Sequence, residues 1–176
     1  MVVFDLAKKK RVALHDSARV GKGEGGRYAL AFSPDGARAF LALPSRGAEV
    51  YSVVTDEARV LPGLPRARVS AAFSPDGGRI AYETKGNGVT VWDLDRPRRL
   101  WGLAADATRC IMSLAFSADG RFLLVGDLTS LRIVDAGSGK VRAELETEAA
   151  ALATLPGGGS YLVGRQWGLL RGELRP

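Results

Sequence analysis

The sequence is poor in the residues that build cross-linked or reactive sites. Cys110 is the one cysteine among 176 residues, which excludes an intrachain disulfide and a cysteine-based zinc cluster and indicates a reducing compartment. His15 is the one histidine, so several histidines cannot bind a metal together, and a serine or cysteine nucleophile would have a single candidate base. We therefore expect no catalytic residues, no metal site and no cofactor.

Long apolar runs and a secretory leader are also missing. No apolar stretch approaches the roughly 20 residues that a membrane-spanning helix needs. The first ten residues place their lysines after a short apolar run, the reverse of the order in a secretory signal. These features predict a cytoplasmic protein with no membrane partner.

Runs of like charge are short, the longest being Lys8–Arg11. The chain carries 25 Lys and Arg against 19 Asp and Glu, a formal net charge of +6. This surplus permits binding to nucleic acid or to an acidic protein surface without requiring it. Nucleic acid is kept as a secondary partner hypothesis, and it predicts an affinity that falls steeply with salt.

Strand-length apolar runs separated by turn sequences dominate the chain instead. In Val69–Leu94, three such runs are separated by Ser74–Gly77 and by Asn87-Gly88, which are typical of tight hairpin connections. Arg96–Trp101 predicts a fourth strand. With 46% apolar residues, 22 glycines and 8 prolines, the composition fits one globular domain rich in turns.

The hairpin turn recurs along the chain at a nearly constant spacing. Phe32–Gly36, Phe73–Gly77 and Phe116–Gly120 are offset by 41 and 43 residues, and a degenerate copy, Thr154–Gly158, follows 38 residues later. Four antiparallel strands in about 40 residues is the period of a β-propeller blade. The repeat therefore predicts an all-β propeller with about four blades.

The first strand of each repeat has one face of small residues and another that is mostly bulky. Because side chains alternate across a strand, this pattern fits strands crowded around a common axis. The small faces are Ala29 and Ala31, Ser70 and Ala72, Ser113 and Ala115, and Ala151 and Ala153.

We expect a single domain over residues 1–176. It comprises a partial blade at 1–14, blades at about 28–61, 69–103 and 111–145, and a partial blade at 151–174. The total is about 17 strands, one more than four complete blades require. Three arrangements remain open: the chain ends share a blade and close the ring, a second copy completes a larger ring, or the blades belong to a larger propeller.

The segment Phe73–Ala81 with Val89–Leu94 resembles the WD-repeat propeller family, and Phe116–Leu124 with Leu131–Lys140 repeats the resemblance. The Gly-His pair that usually opens such repeats is absent, and rings of this family usually have more blades. The resemblance implies a non-enzymatic scaffold that presents inter-blade loops to a protein partner, including a second copy as a homodimer.

Three sequence patterns that suggest chemistry have simpler interpretations. Gly21–Gly26 satisfies the G-x-G-x-x-G string but precedes a predicted strand at Tyr28–Phe32, so we expect a loop between blades. Ala136–Lys140 lacks the first glycine of a phosphate-binding loop and is predicted to be a turn. The repeated aspartates are predicted to form turns rather than to bind calcium or catalyse a reaction; they are Asp35, Asp76 and Asp119.

Candidate partner-binding residues lie in the loops that join second to third strands and one blade to the next. Arginine beside an exposed aromatic is typical of an interaction hot spot. The alternatives are solubilising charge with a packed tryptophan, or a small-molecule or hydrolytic site in the central funnel. The candidates are Arg46, Arg66, Arg109, Arg165 and Trp167.

Overall fold

The computed structural model describes residues 2–5, 10–14, 29–43, 47–62, 70–84, 87–104, 108–157 and 159–174. These residues form strands and turns, and none of them forms a helix able to cross a membrane. The strands are β1 (Val2–Asp5), β2 (Lys10–Leu14), β3 (Ala29–Phe32), β4 (Arg38–Leu43), β5 (Gly47–Ser52), β6 (Glu57–Leu61), β7 (Ala71–Phe73), β8 (Arg79–Thr84), β9 (Gly88–Asp93), β10 (Arg98–Leu103), β11 (Ile111–Phe116), β12 (Phe122–Asp127), β13 (Ser130–Asp135), β14 (Val141–Glu146), β15 (Ala151–Thr154), β16 (Ser160–Arg165) and β17 (Gly168–Glu173).

The strands form antiparallel sheets in chain order. Sheet 1 contains β3 to β6, sheet 2 contains β7 to β10, and sheet 3 contains β11 to β14. Sheet 4 contains β15 to β17, and β1 pairs with β2 in a separate hairpin. The all-β fold predicted from the repeat is therefore confirmed.

The turn between the first two strands is built identically in the first three sheets. In sheet 1 the Ser33 hydroxyl donates to Asp35 at 2.5 Å and accepts from the Arg38 amide at 2.8 Å. Gly36 closes the turn at φ +69°, where glycine avoids the strain of a side chain. Ser74 and Ser117 make the same two contacts in sheets 2 and 3.

The hydrophobic core lies between the sheets. Phe40 of sheet 1 packs with Ile80 and Tyr82 of sheet 2, and the opposite face of sheet 2 packs on sheet 3. Leu124 and Leu131 of sheet 3 pack in turn against sheet 4. Each interior sheet is buried on both faces, so its middle strands are almost continuously apolar.

The first strands stand side by side along a common axis. β3 contacts β7, β7 contacts β11, and β11 contacts β15. The small residues predicted from the sequence belong to these four strands, apart from Ser70, which directly precedes β7. These strands have to approach one another most closely. Within the described residues, β1 and β2 pair only with each other and β17 pairs only with β16. Ring closure by pairing of the chain ends is thus not seen in this part of the chain.

Two repeated arginines connect neighbouring sheets. Arg38 donates from Nη1 to the Gly77 carbonyl of the next sheet at 2.9 Å. Arg79, its equivalent 41 residues on, donates from Nη2 to the Gly120 carbonyl at 2.9 Å. Each arginine lies two residues after the glycine of an Asp-Gly turn. The aligned repeats therefore already show the repeated arginine, although the sequence analysis did not identify it as a contact between sheets.

Candidate partner-binding rim

The turns between second and third strands of sheets 3 and 4 lie at the same end of the molecule. The Leu152 amide donates to Ser113 Oγ at 3.1 Å, and Thr154 Oγ1 donates to the Phe116 carbonyl at 2.9 Å. Because of these contacts β15 runs beside β11 in the same direction, so the equivalent turns of sheets 3 and 4 lie at the same end. We call this end, with residues 108–110, 128–129, 147–150 and 166–167, the loop rim.

The structure places three of the five predicted partner-binding residues. Arg46 and Arg66 lie outside the described residues, as do His15 and the Gly21–Gly26 string. Arg109 lies on the loop rim just before β11, with its side chain 31% exposed. Arg165 and Trp167 lie at the tip of the β16–β17 hairpin.

Arg109 is held by groups from three strands of sheet 3. Its Nη1 donates to Ser130 Oγ at 2.9 Å and to the Glu144 carboxylate, and it lies 3.7 Å from Asp127 Oδ2. The ion pair with Arg109 lowers the pKa of Glu144. This guanidinium therefore stabilises the rim end of sheet 3.

Asp127 is the centre of that network and is fully buried. Its Oδ1 accepts from the amides of Thr129 and Ser130 at 2.7 Å each, and its Oδ2 accepts from Ser130 Oγ at 2.9 Å. Burial alone would raise the pKa of Asp127, but these hydrogen bonds outweigh burial and lower it. Arg132 Nη2 lies 3.9 Å from the same carboxylate. An aspartate at a turn is the only local signal of this cluster in the sequence around Asp127.

The rim of sheet 4 exposes apolar surface instead. Trp167 is 88% exposed and Leu169 is 74% exposed, and Arg165 beside them is also exposed. The Gln166 amide donates to Glu148 Oε2 at 3.0 Å, which anchors the turn to the preceding linker. The alternative of a tryptophan packed under its neighbours is therefore wrong, because this indole projects into solvent.

The repeated aspartates lie at the opposite end of the sheets and form turns, as predicted. The Ser33 and Ser74 hydroxyls lower the pKa of Asp35 and Asp76 by donating to their carboxylates. The segment Ala136–Lys140 is a turn in which the Ser138 amide donates to Asp135 at 2.8 Å. Among the described residues, no three His, Cys, Asp or Glu side chains are grouped so that they could hold a metal.

Glu83 is a buried carboxyl at the end of β8. The residue is 4% exposed, and its Oε2 has no hydrogen-bond partner. Burial raises its pKa to about 7, against a small opposing effect of the hydrogen bond with the Ser70 backbone. Its equivalents are Ala42 in sheet 1 and Gly126 in sheet 3. Sheet 2 therefore carries an acidic side chain at a position where sheets 1 and 3 have a small residue.

Glu83→Gln should remove a pH dependence of stability. Because folding raises this pKa from 4.5, protonation of Glu83 favours the folded state below about pH 4.5, and that contribution is lost as the pH rises through 7. The wild type should therefore lose up to about 3 kcal/mol relative to Glu83→Gln across this window. Urea unfolding of both proteins from pH 4.5 to 8 measures the difference, and parallel stability profiles would contradict the assignment.

Comparisons with known proteins agree with this architecture. Residues 71–156 match the family model described as the WD40 domain of anaphase-promoting complex subunit 4. The solved structure of hydrazine synthase from Kuenenia stuttgartiensis superposes with a TM-score of 0.64 at 17% sequence identity over 86% of this chain. The chain spans 45% of the length of that structure, and at this identity the likeness shows the propeller fold alone. No curated protein matches the sequence significantly.

Proposed function

We propose that this β-propeller, in which residues 71–156 match a WD40 domain model, is a divergent WD-repeat protein and a non-enzymatic scaffold that binds a protein partner through the loop rim of sheet 4. WD40 domains generally mediate contacts between proteins. The observation that carries the proposal is the exposure of Trp167 and Leu169 at one hairpin. Tryptophan and arginine are enriched in interaction hot spots, and exposed apolar surface marks binding sites.

The chemistry of this hairpin favours a protein over a nucleic acid. The hairpin combines an indole and a leucine with two exposed cations, Arg165 at the tip and Arg171 on β17. A nucleic-acid surface needs a cluster of cations that neutralise phosphates. Arg109 at the neighbouring rim position is already paired with carboxylates, which reduces the positive charge there.

A photoreactive tryptophan analogue at position 167, which keeps the indole, should capture the partner in the cell of origin. We expect a discrete protein adduct that survives nuclease treatment and is competed by excess wild-type chain, but not by excess Trp167→Ala. The matched control is Val54, which is 79% exposed in a turn between third and fourth strands. Equal adducts from positions 167 and 54, or equal competition by Trp167→Ala, would contradict the proposal. Trp167→Ala should keep the wild-type melting temperature, because an exposed side chain contributes little to stability.

A further inference from the structure

Two neighbouring grooves at the outer edge of the sheets are built alike. Arg59 on β6 pairs with Val50, and Trp101 on β10 pairs with Val91. Val50 and Val91 are 41 residues apart and occupy the same register position in sheets 1 and 2. Arg59 and Trp101 are therefore structural equivalents, one beside the groove between sheets 1 and 2, the other beside the groove between sheets 2 and 3.

The groove between sheets 2 and 3 is closed by the indole of Trp101. Its Nε1 donates to the Ala136 carbonyl at 2.9 Å. The ring lies directly on Gly139, where an added Cβ would come within 2.7 Å of indole Cδ2. Gly139 also has a φ of +73°, so glycine is needed there both for the backbone conformation and for the indole.

The groove between sheets 1 and 2 has the same carbonyl but different side chains, with Arg59 at the position of Trp101 and Pro97 at the position of Gly139. Leu94 is the equivalent of Ala136, since their amides donate at 2.8 Å to the matching carbonyls of Gly78 and Arg121. Arg59 Nη1 donates to the Leu94 carbonyl at 3.3 Å, in the manner of the indole. The guanidinium leaves a cavity of about 700 Å³, lined among others by Arg38, Val50, Ser52, Glu57, Arg59 and Leu94.

This cavity suits an aromatic ring. Val50 and Leu94 line it with apolar surface, and Arg59 lines it with a guanidinium, a group that attracts the face of an aromatic ring. Arg38 is fixed by a 2.6 Å ion pair with Asp95, so the groove is ordered before a ligand arrives.

We propose that the groove between sheets 1 and 2 binds an aromatic side chain, best a tryptophan, carried by a peptide segment of a protein partner. The bound ring lies beside Arg59 and covers the groove between sheets 1 and 2, as Trp101 covers the groove between sheets 2 and 3. This site lies at the outer edge of the sheets, so its failure would leave the loop-rim proposal standing.

An NMR titration with the peptide acetyl-Ser-Leu-Trp-Gly-Ser-amide tests the site on the full chain. We expect saturable shifts of the amides of Ser52, Arg59 and Leu94, and about tenfold weaker binding by the same peptide with alanine in place of tryptophan. Equal binding of the two peptides, shifts confined to other surfaces, or no shifts at millimolar peptide would overturn the proposal. This comparison needs no variant of the protein.

Arg59→Trp supplies an independent arm of the test. The new indole should occupy the groove in place of the ligand ring and weaken peptide binding about tenfold. The matched control is Arg98→Trp, which adds an indole at an exposed position of β10 outside the groove and should leave peptide binding unchanged. If Arg59→Trp bound the peptide with wild-type affinity, the proposal that an aromatic side chain binds in this groove would be wrong.

Discussion

Asp127→Ala should lower the free energy of unfolding by about 3 to 5 kcal/mol, the largest loss expected from a polar substitution among the described residues. The carboxylate is fully buried and accepts four hydrogen bonds from Thr129 and Ser130. Its removal leaves the Ser130 amide without its acceptor and leaves Arg109 and Arg132 without their shared anion. Unpaired buried donors and charges cost more than the original contacts contribute.

Urea unfolding at neutral pH measures this loss, and Asp95→Ala is the matched control. The Asp95 side chain is 64% exposed although its ion pair with Arg38 is shorter than any contact of Asp127 with arginine. Exposed pairs contribute little, so the control should lose less than about 1 kcal/mol. Equal losses in the two variants would show that the Asp127 cluster is open to solvent.

Leu131→Ala should lower the free energy of unfolding by about 2 to 5 kcal/mol, because the side chain is fully buried between sheets 3 and 4. Leu169 is its equivalent in sheet 4: Leu131 pairs with Gly126, and Leu169 pairs with Gly164. Leu169 is 74% exposed, so Leu169→Ala should change stability by no more than about 0.5 kcal/mol. The two variants delete the same atoms at the same repeat position and differ only in what covers them.

Thermal and urea unfolding of the wild type and Leu169→Ala at several protein concentrations also test whether the outer face of sheet 4 is covered. A large loss in Leu169→Ala would contradict an exposed outer face on sheet 4. If the wild-type melting temperature also rose with protein concentration and that of Leu169→Ala did not, a second copy would be shown to cover the face.

Sequence reasoning succeeded where the structure is decided locally. Ser-Pro-Asp-Gly and Asn-Gly set the turns through their own hydrogen bonds and positive φ values, as at Gly77 and Asn87. Alternation on the first strands identified the crowded axis, because register and burial there follow from the period of two. These features need only neighbours within one repeat.

The candidate site was less predictable because its contacts join distant parts of the chain. The sequence pattern made both Arg109 and Trp167 candidate partner-binding residues. In the structure Arg109 is held by Asp127 and Glu144, whereas Trp167 is 88% exposed. Arg109 and Glu144 are separated by 35 residues, and no local pattern reports that distance. The alignment of repeats could have revealed Glu83, which breaks a repeated position. The exchange of Arg59 for Trp101 needed the structure, because the register shifts between Arg99 and Trp101.

In this fold separate sheets stand face to face, with their first strands in contact. Nuclear Overhauser effects between β11 and β15 measure that contact. We predict strong cross-peaks from the Leu152 amide to the Ser113 side chain and from Thr154 to the Phe116 segment, which lie in hydrogen-bond contact. Ladders of cross-peaks between β14 and β15, as in one continuous flat sheet, with none between β11 and β15, would contradict it.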